Sequence, residues 1–242
     1  MNAILVPLNA KSVSDQFVDR FEKLILGGAL GPGEKLPSER DLAMSLGVSR
    51  PVVHQGLLEL AHRGLVTLKP RVGAVVNDVG SQGSLATLVS LFNAGHGRPD
   101  PALVRSILEV RHVIECETAR LAALRATPSN LEDLRVILGQ EQAEADLAPH
   151  LAAARDFSFH HAIARASGNG VYPLLLNSFK EFYLAMAGLF YQGPVRPQVY
   201  RHHEALLASI AQGRAEDARD RMDALLTHGA HILLTLVDQG KD

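Results

Sequence analysis

Asp156 and His160 stand four residues apart in a stretch with helical periodicity, so both project from one helix face. A carboxylate and an imidazole at that spacing can share one divalent metal ion, with zinc the first candidate. His203 falls in a different predicted helix, as a third ligand must. The alternative is a group of polar residues lining a metal-free pocket. Arg111 adds a guanidinium, which binds a carboxylate through a two-pronged charged hydrogen bond. Beside a metal it would suit a small hydroxy acid, the metal taking carboxylate and hydroxyl oxygens and the arginine the remaining charge. Its alternative is an i,i+4 ion pair with Glu115. Asn169, in the turn Gly168-Asn169-Gly170, either touches ligand or caps the following helix. An enzyme reading has the three metal ligands activating a water for turnover of an organic acid. It lacks a separate general acid or base, so no catalytic residue is assigned.

A second group of residues bears on DNA. Ser38 sits at an N-cap position with Asp41 three residues on, an S-x-x-D capping box. Leu42, Ala43 and Leu46 form the apolar stripe of a short helix that Gly47 stops. Ser49 is a second N-cap, Pro51 sits early in the next helix, and Val52, Val53, Leu57 and Leu60 give its buried side. Two short helices about a tight turn, with Arg50 at the tip of the second, read as a helix-turn-helix. Gly64 to Lys69 and Ala74 to Val76 read as strands about a Pro70-Arg71-Val72-Gly73 turn, a wing with Lys69 and Arg71 near its tip.

These residues resemble the GntR family of bacterial transcription regulators. The match runs from about Leu24 to Val76 and includes Gly28, Leu30, Pro32-Gly33, Leu36-Pro37-Ser38-Glu39-Arg40, Leu42-Ala43, Gly47-Val48-Ser49-Arg50, Gly64-Leu65-Val66 and Gly73. The resemblance implies that Arg40, Ser49, Arg50, the helix face with Val52 and His54, and the wing residues Lys69, Arg71 and Gly73 touch double-stranded DNA. His54 stands where the family has a basic residue, most often arginine, and a neutral imidazole cannot make arginine's bidentate contact with guanine. The family commonly has Thr or Ala near Val52 and Gly56.

Composition sets bounds. A chain of 242 residues, 47% apolar, has room for two ordinary domains and a sizeable core. The net charge of −2 argues against a protein that coats DNA indiscriminately. Cys116 is the only cysteine, which excludes an internal disulfide; it sits in an apolar helical pattern and reads as core. With no signal-peptide core and no apolar run of spanning length, a cytoplasmic protein with no membrane partner is expected.

The elements that must position these side chains follow from periodicity. A first helix, about Val13 to Gly27, carries Phe17, Phe21, Leu24 and Ile25 on one side. The winged domain is placed at 1–78, and a Gly-, Ser- and Pro-rich connection at 79–101 includes a short helix, Leu85 to Phe92. From Ala102 onward the chain reads as helix. Val104 to Arg125 presents Ile107, Val110, Ile114, Leu121 and Leu124; a helix after Thr127-Pro128 buries Leu131, Leu134 and Leu138. Further helices are expected at Leu151 to Ala166, Leu174 to Tyr191, Gln198 to Ala211 and Ala215 to Val237. The fold class is therefore mainly α: a winged helix-turn-helix followed by an antiparallel bundle at 102–242.

The bundle resembles the FCD domain of the FadR branch of the same family, through Glu109-x-Arg111, Ile114-Glu115, Ala119-Arg120-Leu121-Ala122-Ala123, Asp156-Phe157-x-Phe159-His160, Ala164, Ala166-Ser167-Gly168-Asn169, His203-x-x-Leu206-Leu207-x-x-Ile210, Gly213, Ala218 and Met222. In many FCD domains a histidine three residues after the matched methionine completes the metal set; here that position is Leu225. His228 lies one turn further on roughly the same face and is the candidate fourth ligand, its alternative being a solvent-facing histidine. The resemblance implies a homodimeric repressor that reads a palindromic operator and is released by a small carboxylate such as a sugar acid.

Overall fold

In the computed structural model, residues 12–94, 100–143 and 147–239 are described. The chain divides into two compact units, Met1–Gly97 and Arg98–Asp242.

The first unit opens with α1 (Val13–Leu26), whose start is fixed by a full capping box. Ser12 Oγ accepts from Asp15 N–H, and Asp15 accepts from Ser12 N–H. Phe17, Val18, Phe21 and Ile25 lie on its buried face. Helix α2 (Glu39–Leu46) begins at Ser38, whose Oγ accepts from Asp41 N–H at 3.2 Å while its own proton goes to the Asp41 carboxylate at 2.6 Å. Gly47, at φ 66°, ψ 31°, ends α2 in the left-handed region that glycine occupies without a Cβ clash. Helix α3 (Arg50–His62) follows with Pro51 in its first turn and Val53, Leu57 and Leu60 buried. Each such side chain removed from water contributes about 1.5–3 kcal/mol.

Strands β1 (Val66–Lys69) and β2 (Gly73–Val76) pair antiparallel, with Val66 opposite Val76 and Lys69 opposite Gly73. Arg71 at the hairpin tip has φ 65°. The segment that the sequence assigns to the connection carries two helices, α4 (Val79–Gln82) and α5 (Leu85–Ala94). The second belongs to this unit: Thr87 Oγ1 donates to Arg63 C=O at 2.7 Å, and α5 contacts α1. Residues 95–99 of that connection lie outside the described residues.

The second unit has seven helices among its described residues: α6 (Pro101–Arg125), α7 (Pro128–Ala143), α8 (Pro149–Ala166), α9 (Val171–Ser178), α10 (Lys180–Phe190), α11 (Arg196–Ala211) and α12 (Ala215–Gln239). Helix α8 is central and packs on α6, α7, α9 and α10. The apolar stretch expected as one helix from Leu174 to Tyr191 is two, broken at Phe179 (φ −99°, ψ 2°). Only Leu176 of α9 is fully buried, whereas α10 buries Phe182, Tyr183, Met186, Ala187 and Phe190. The break lets the two segments present different faces. The stripe of α6 also differs from expectation. Val110 and Leu124 are exposed, whereas Ile107 and Leu121 are buried as expected and Cys116 lies in the core, alongside Val104, Glu115, Thr118, Ala119, Ala122 and Ala123. Small residues there let neighbouring helices approach, and a buried glutamate takes the place of an expected aliphatic.

Candidate functional site

In the winged unit the predicted DNA contacts lie on α2, α3 and the hairpin. Arg40, Ser49, Arg50, His54, Lys69, Arg71 and Gly73 are exposed, and Val52 is half-buried. Ser49 stands at the N-cap of α3 with extended backbone, but its hydroxyl makes no capping bond. His54 Nδ1 lies 2.7 Å from Glu39 Oε1, tying α3 to the first residue of α2. This partner was not foreseen; it holds the imidazole so that Nε2 is its other polar atom.

In the bundle, Asp156 and His160 on α8 and His203 on α11 converge. One ligand atom from each lies within 4.8 Å of the others. His203 Nε2 is 3.5 Å and His160 Nε2 3.9 Å from Asp156 Oδ1. Both histidines are fully buried. Each has a carboxylate on its other nitrogen: His203 Nδ1 is 2.9 Å from Glu141 Oε2 of α7, and His160 Nδ1 lies against Glu115 Oε2 of α6. Carboxylates on Nδ1 orient imidazoles for ligation through Nε2. His203 Nε2 has no hydrogen-bond partner among the described residues. An orphaned, buried nitrogen aimed at a carboxylate fits a metal ion, and the N₂O donor set suits a borderline divalent cation such as zinc.

Two tyrosines hold Asp156. Tyr191 donates to Oδ1 at 2.9 Å, and Tyr183 donates to Oδ2. Burial alone would raise the Asp156 carboxyl. The two imidazoles, Arg111 and the Tyr183 hydroxyl outweigh it and hold that carboxyl below the usual aspartate range. Glu115 shows the same contest more strongly: against burial, Arg111 and His160 hold it down to about 2. Burial and the nearby Asp156 charge push both tyrosines far up, so they remain neutral donors.

Arg111 forms the ion pair with Glu115, at 2.5 Å, but inside the bundle rather than on a helix surface, since Glu115 is fully buried. Its guanidinium also donates to Tyr183 Oη at 3.1 Å and sits 4.3 Å from that ring's centroid. Arg111 nonetheless lines a cavity of about 40 Å³ together with Asp156, His160, Leu225, Leu226 and Gly229. A wider groove of about 1020 Å³ reaches Glu141 and Tyr191 and carries Arg155, Arg196 and Arg201.

Two predicted residues are not brought in. His228 stacks on His202 with ring centroids 6.0 Å apart and is not part of the cluster. Three residues beyond Leu225 means a turn of about 60° around the helix, away from the cavity that Leu225 faces. Asn169 is exposed and spends its Oδ1 on Val171 N–H at the start of α9. Sequence reasoning missed Glu115 as a support for His160, and Glu141, Tyr183 and Tyr191 altogether. The one available signal was an acidic residue within the apolar opening of α6.

Residues 13–76 match the model for bacterial regulatory proteins of the gntR family, and residues 106–228 match the FCD domain. A protein of Escherichia coli (strain K12) named as an L-lactate dehydrogenase operon regulatory protein is 32% identical over 228 residues, covering 90% of this chain and 84% of that one. The HTH-type transcriptional regulator LutR of Bacillus subtilis (strain 168) is 31% identical, covering 87% and 96%. The Glc operon transcriptional activator of E. coli (strain K12) is 27% identical, covering 84% and 81%. Among solved structures, a Listeria monocytogenes protein, Lar, described as controlling the agr system, superposes with a TM-score of 0.64 at 18% identity, covering 95% of this chain and 99% of that one, a likeness of fold.

Proposed function

The chain belongs to the gntR family of bacterial regulatory proteins and carries an FCD domain, and from that premise we propose that it is a repressor released from DNA by a small hydroxycarboxylic acid held in the bundle. It is a DNA-binding transcription regulator by family; the effector class, the metal and the sense of regulation are the proposal. The observation that carries it is the Asp156/His160/His203 cluster, two of whose members, Asp156 and His160, line a cavity that Arg111 shares. Two relatives are named for lactate and Glc operons, which supports a small acid as effector. Relatives are named as regulators, so binding rather than turnover is the role read for the cluster.

When bound, a divalent ion would supply Lewis acidity toward carboxylate and hydroxyl oxygens. The chain's own residues do the rest. Glu115 and Glu141 set the imidazoles, Tyr183 and Tyr191 fix the Asp156 carboxylate, and Arg111 presents a permanent positive charge to the cavity. Effector can release DNA only if it binds the free state more tightly, so the two affinities must be measured together. The test follows complex formation between the purified homodimer and DNA from its own promoter region during titration with lactate, glycolate and sugar acids, with and without zinc. Zinc-dependent dissociation by one of these acids is expected. In Arg111→Ala, the complex should form normally and stop responding. A variant that responds at the wild-type acid concentration removes Arg111 from the effector site, and wild-type protein that binds promoter DNA no better than random DNA overturns the regulator reading.

A further inference from the structure

We propose that His112, Cys116 and Asp223 form a second metal site, for a thiophilic divalent cation such as zinc, where α6 packs on α12. His112 and Cys116 are four residues apart on α6 and therefore share a face. Asp223 meets them from α12, the helix with which α6 packs most extensively. One ligand atom from each of the three lies within 4.8 Å of the others, and His112 Nε2 is already 2.8 Å from Asp223 Oδ1. Ligand atoms around one tetrahedral zinc, at bond lengths of about 2.0–2.3 Å, stand about 3.3–3.6 Å apart. The set closes on such an ion with shifts of about 1 Å.

The chemistry of the set fits. A thiolate, a carboxylate and a neutral imidazole carry two negative charges between them, which a divalent ion neutralises. Three protein ligands leave one tetrahedral position for water. Cys116 is buried, while His112 and Asp223 are 37% and 57% exposed, so an ion has a path from solvent. Without a cation, the buried thiol lies beside the His112–Asp223 contact. Coordination releases the thiol proton to the buffer and leaves the sulfur bound as thiolate, so binding tightens as pH rises. The site shares no residue with the Asp156 cluster. It would staple the two longest described helices, one of which carries Arg111 and Glu115.

The sulfur makes the site separately visible. Cys116 is the only cysteine, and the Asp156 cluster contains no sulfur. Cobalt(II) titrated anaerobically into the full-length reduced protein should produce a thiolate-to-cobalt charge-transfer band that saturates and is abolished by added zinc. The band should persist in His160→Ala. In His112→Ala and Asp223→Asn, whose altered side chains are partly solvent-exposed, cobalt affinity read from that band should fall by at least the roughly 10- to 100-fold that even outer-shell changes cost. No band at excess cobalt overturns the proposal, as does unchanged affinity in both variants.

Discussion

At the scale of single residues, the cluster is notable for how little of each ligand is left unassigned. Asp156 has a tyrosine on each oxygen, and each histidine has a carboxylate on Nδ1. Leu225 occupies the position at which the family resemblance expects a fourth ligand, and it lines the same cavity as Asp156 and His160. Leu225→His should therefore retain metal against a chelator longer than the wild type, read as a slower loss of bound zinc; equal loss would mean that the position does not reach the ion. A second prediction concerns acid. The Glu115 carboxyl is held at about 2 against an ordinary 4.5, so its contribution to stability is fully present above about pH 4.5 and is lost as pH falls toward 2. Unfolding midpoints measured across that window should drop for the wild type by the equivalent of a few kcal/mol. Glu115→Gln should start lower, because Arg111 loses its buried partner, and should change less with pH. The convergence of Asp156, His160 and His203 was legible in the sequence because a carboxylate and imidazoles at helical spacing are distinctive residue types. Glu141, Tyr183 and Tyr191 were not, because a support is defined by the helix across from it and not by its own neighbours in the chain.

At the scale of elements, caps and turns were read most faithfully. Ser38 and Gly47 bound α2 because local residue chemistry fixes those positions, and Ser49 stands at the N-cap of α3 without a capping bond from its hydroxyl. The break at Phe179 was not legible: it involves neither glycine nor proline, and both segments pack on α8. The burial of α6 was read only in part: Ile107 and Leu121 are buried as expected, while the buried Glu115 and Thr118 give no apolar signal in sequence. Gly56 gives a prediction at this scale. A Cβ there would stand 2.3 Å from Phe17 Cδ1, and Phe17 is itself buried and stacked on Phe21 at 4.4 Å. Alanine gains about 1 kcal/mol over glycine in a helix interior, but overpacking a core costs typically about 1–3 kcal/mol. Gly56→Ala should therefore lower the unfolding midpoint of the winged unit. A rise would mean that Phe17 can move aside freely.

At the scale of the whole molecule, the division of labour between two compact units makes their functions separable by mutation. Arg50 is exposed at the first position of α3 and belongs to no ion pair identified among the described residues. Arg50→Ala should weaken promoter binding by about 1–3 kcal/mol if it reads a guanine, with zinc content and bundle stability unchanged. Equal binding by the variant would remove it from the DNA face. The net charge of −2 leaves specificity to such contacts rather than to bulk attraction, so binding should be sensitive to single substitutions. No helix among the described residues is long and apolar enough to cross a membrane. Glu115 on α6, Glu141 on α7, Asp156 and His160 on α8, Tyr183 on α10 and His203 on α11 meet around one point, so five helices share a single knot of polar contacts. Backbone amides near that knot should not open independently. When it is filled, hydrogen–deuterium exchange should slow together over stretches far apart in the chain, around 115, 141, 160, 183 and 203, and the loosening of any one strand of the knot should be felt as faster exchange in all five.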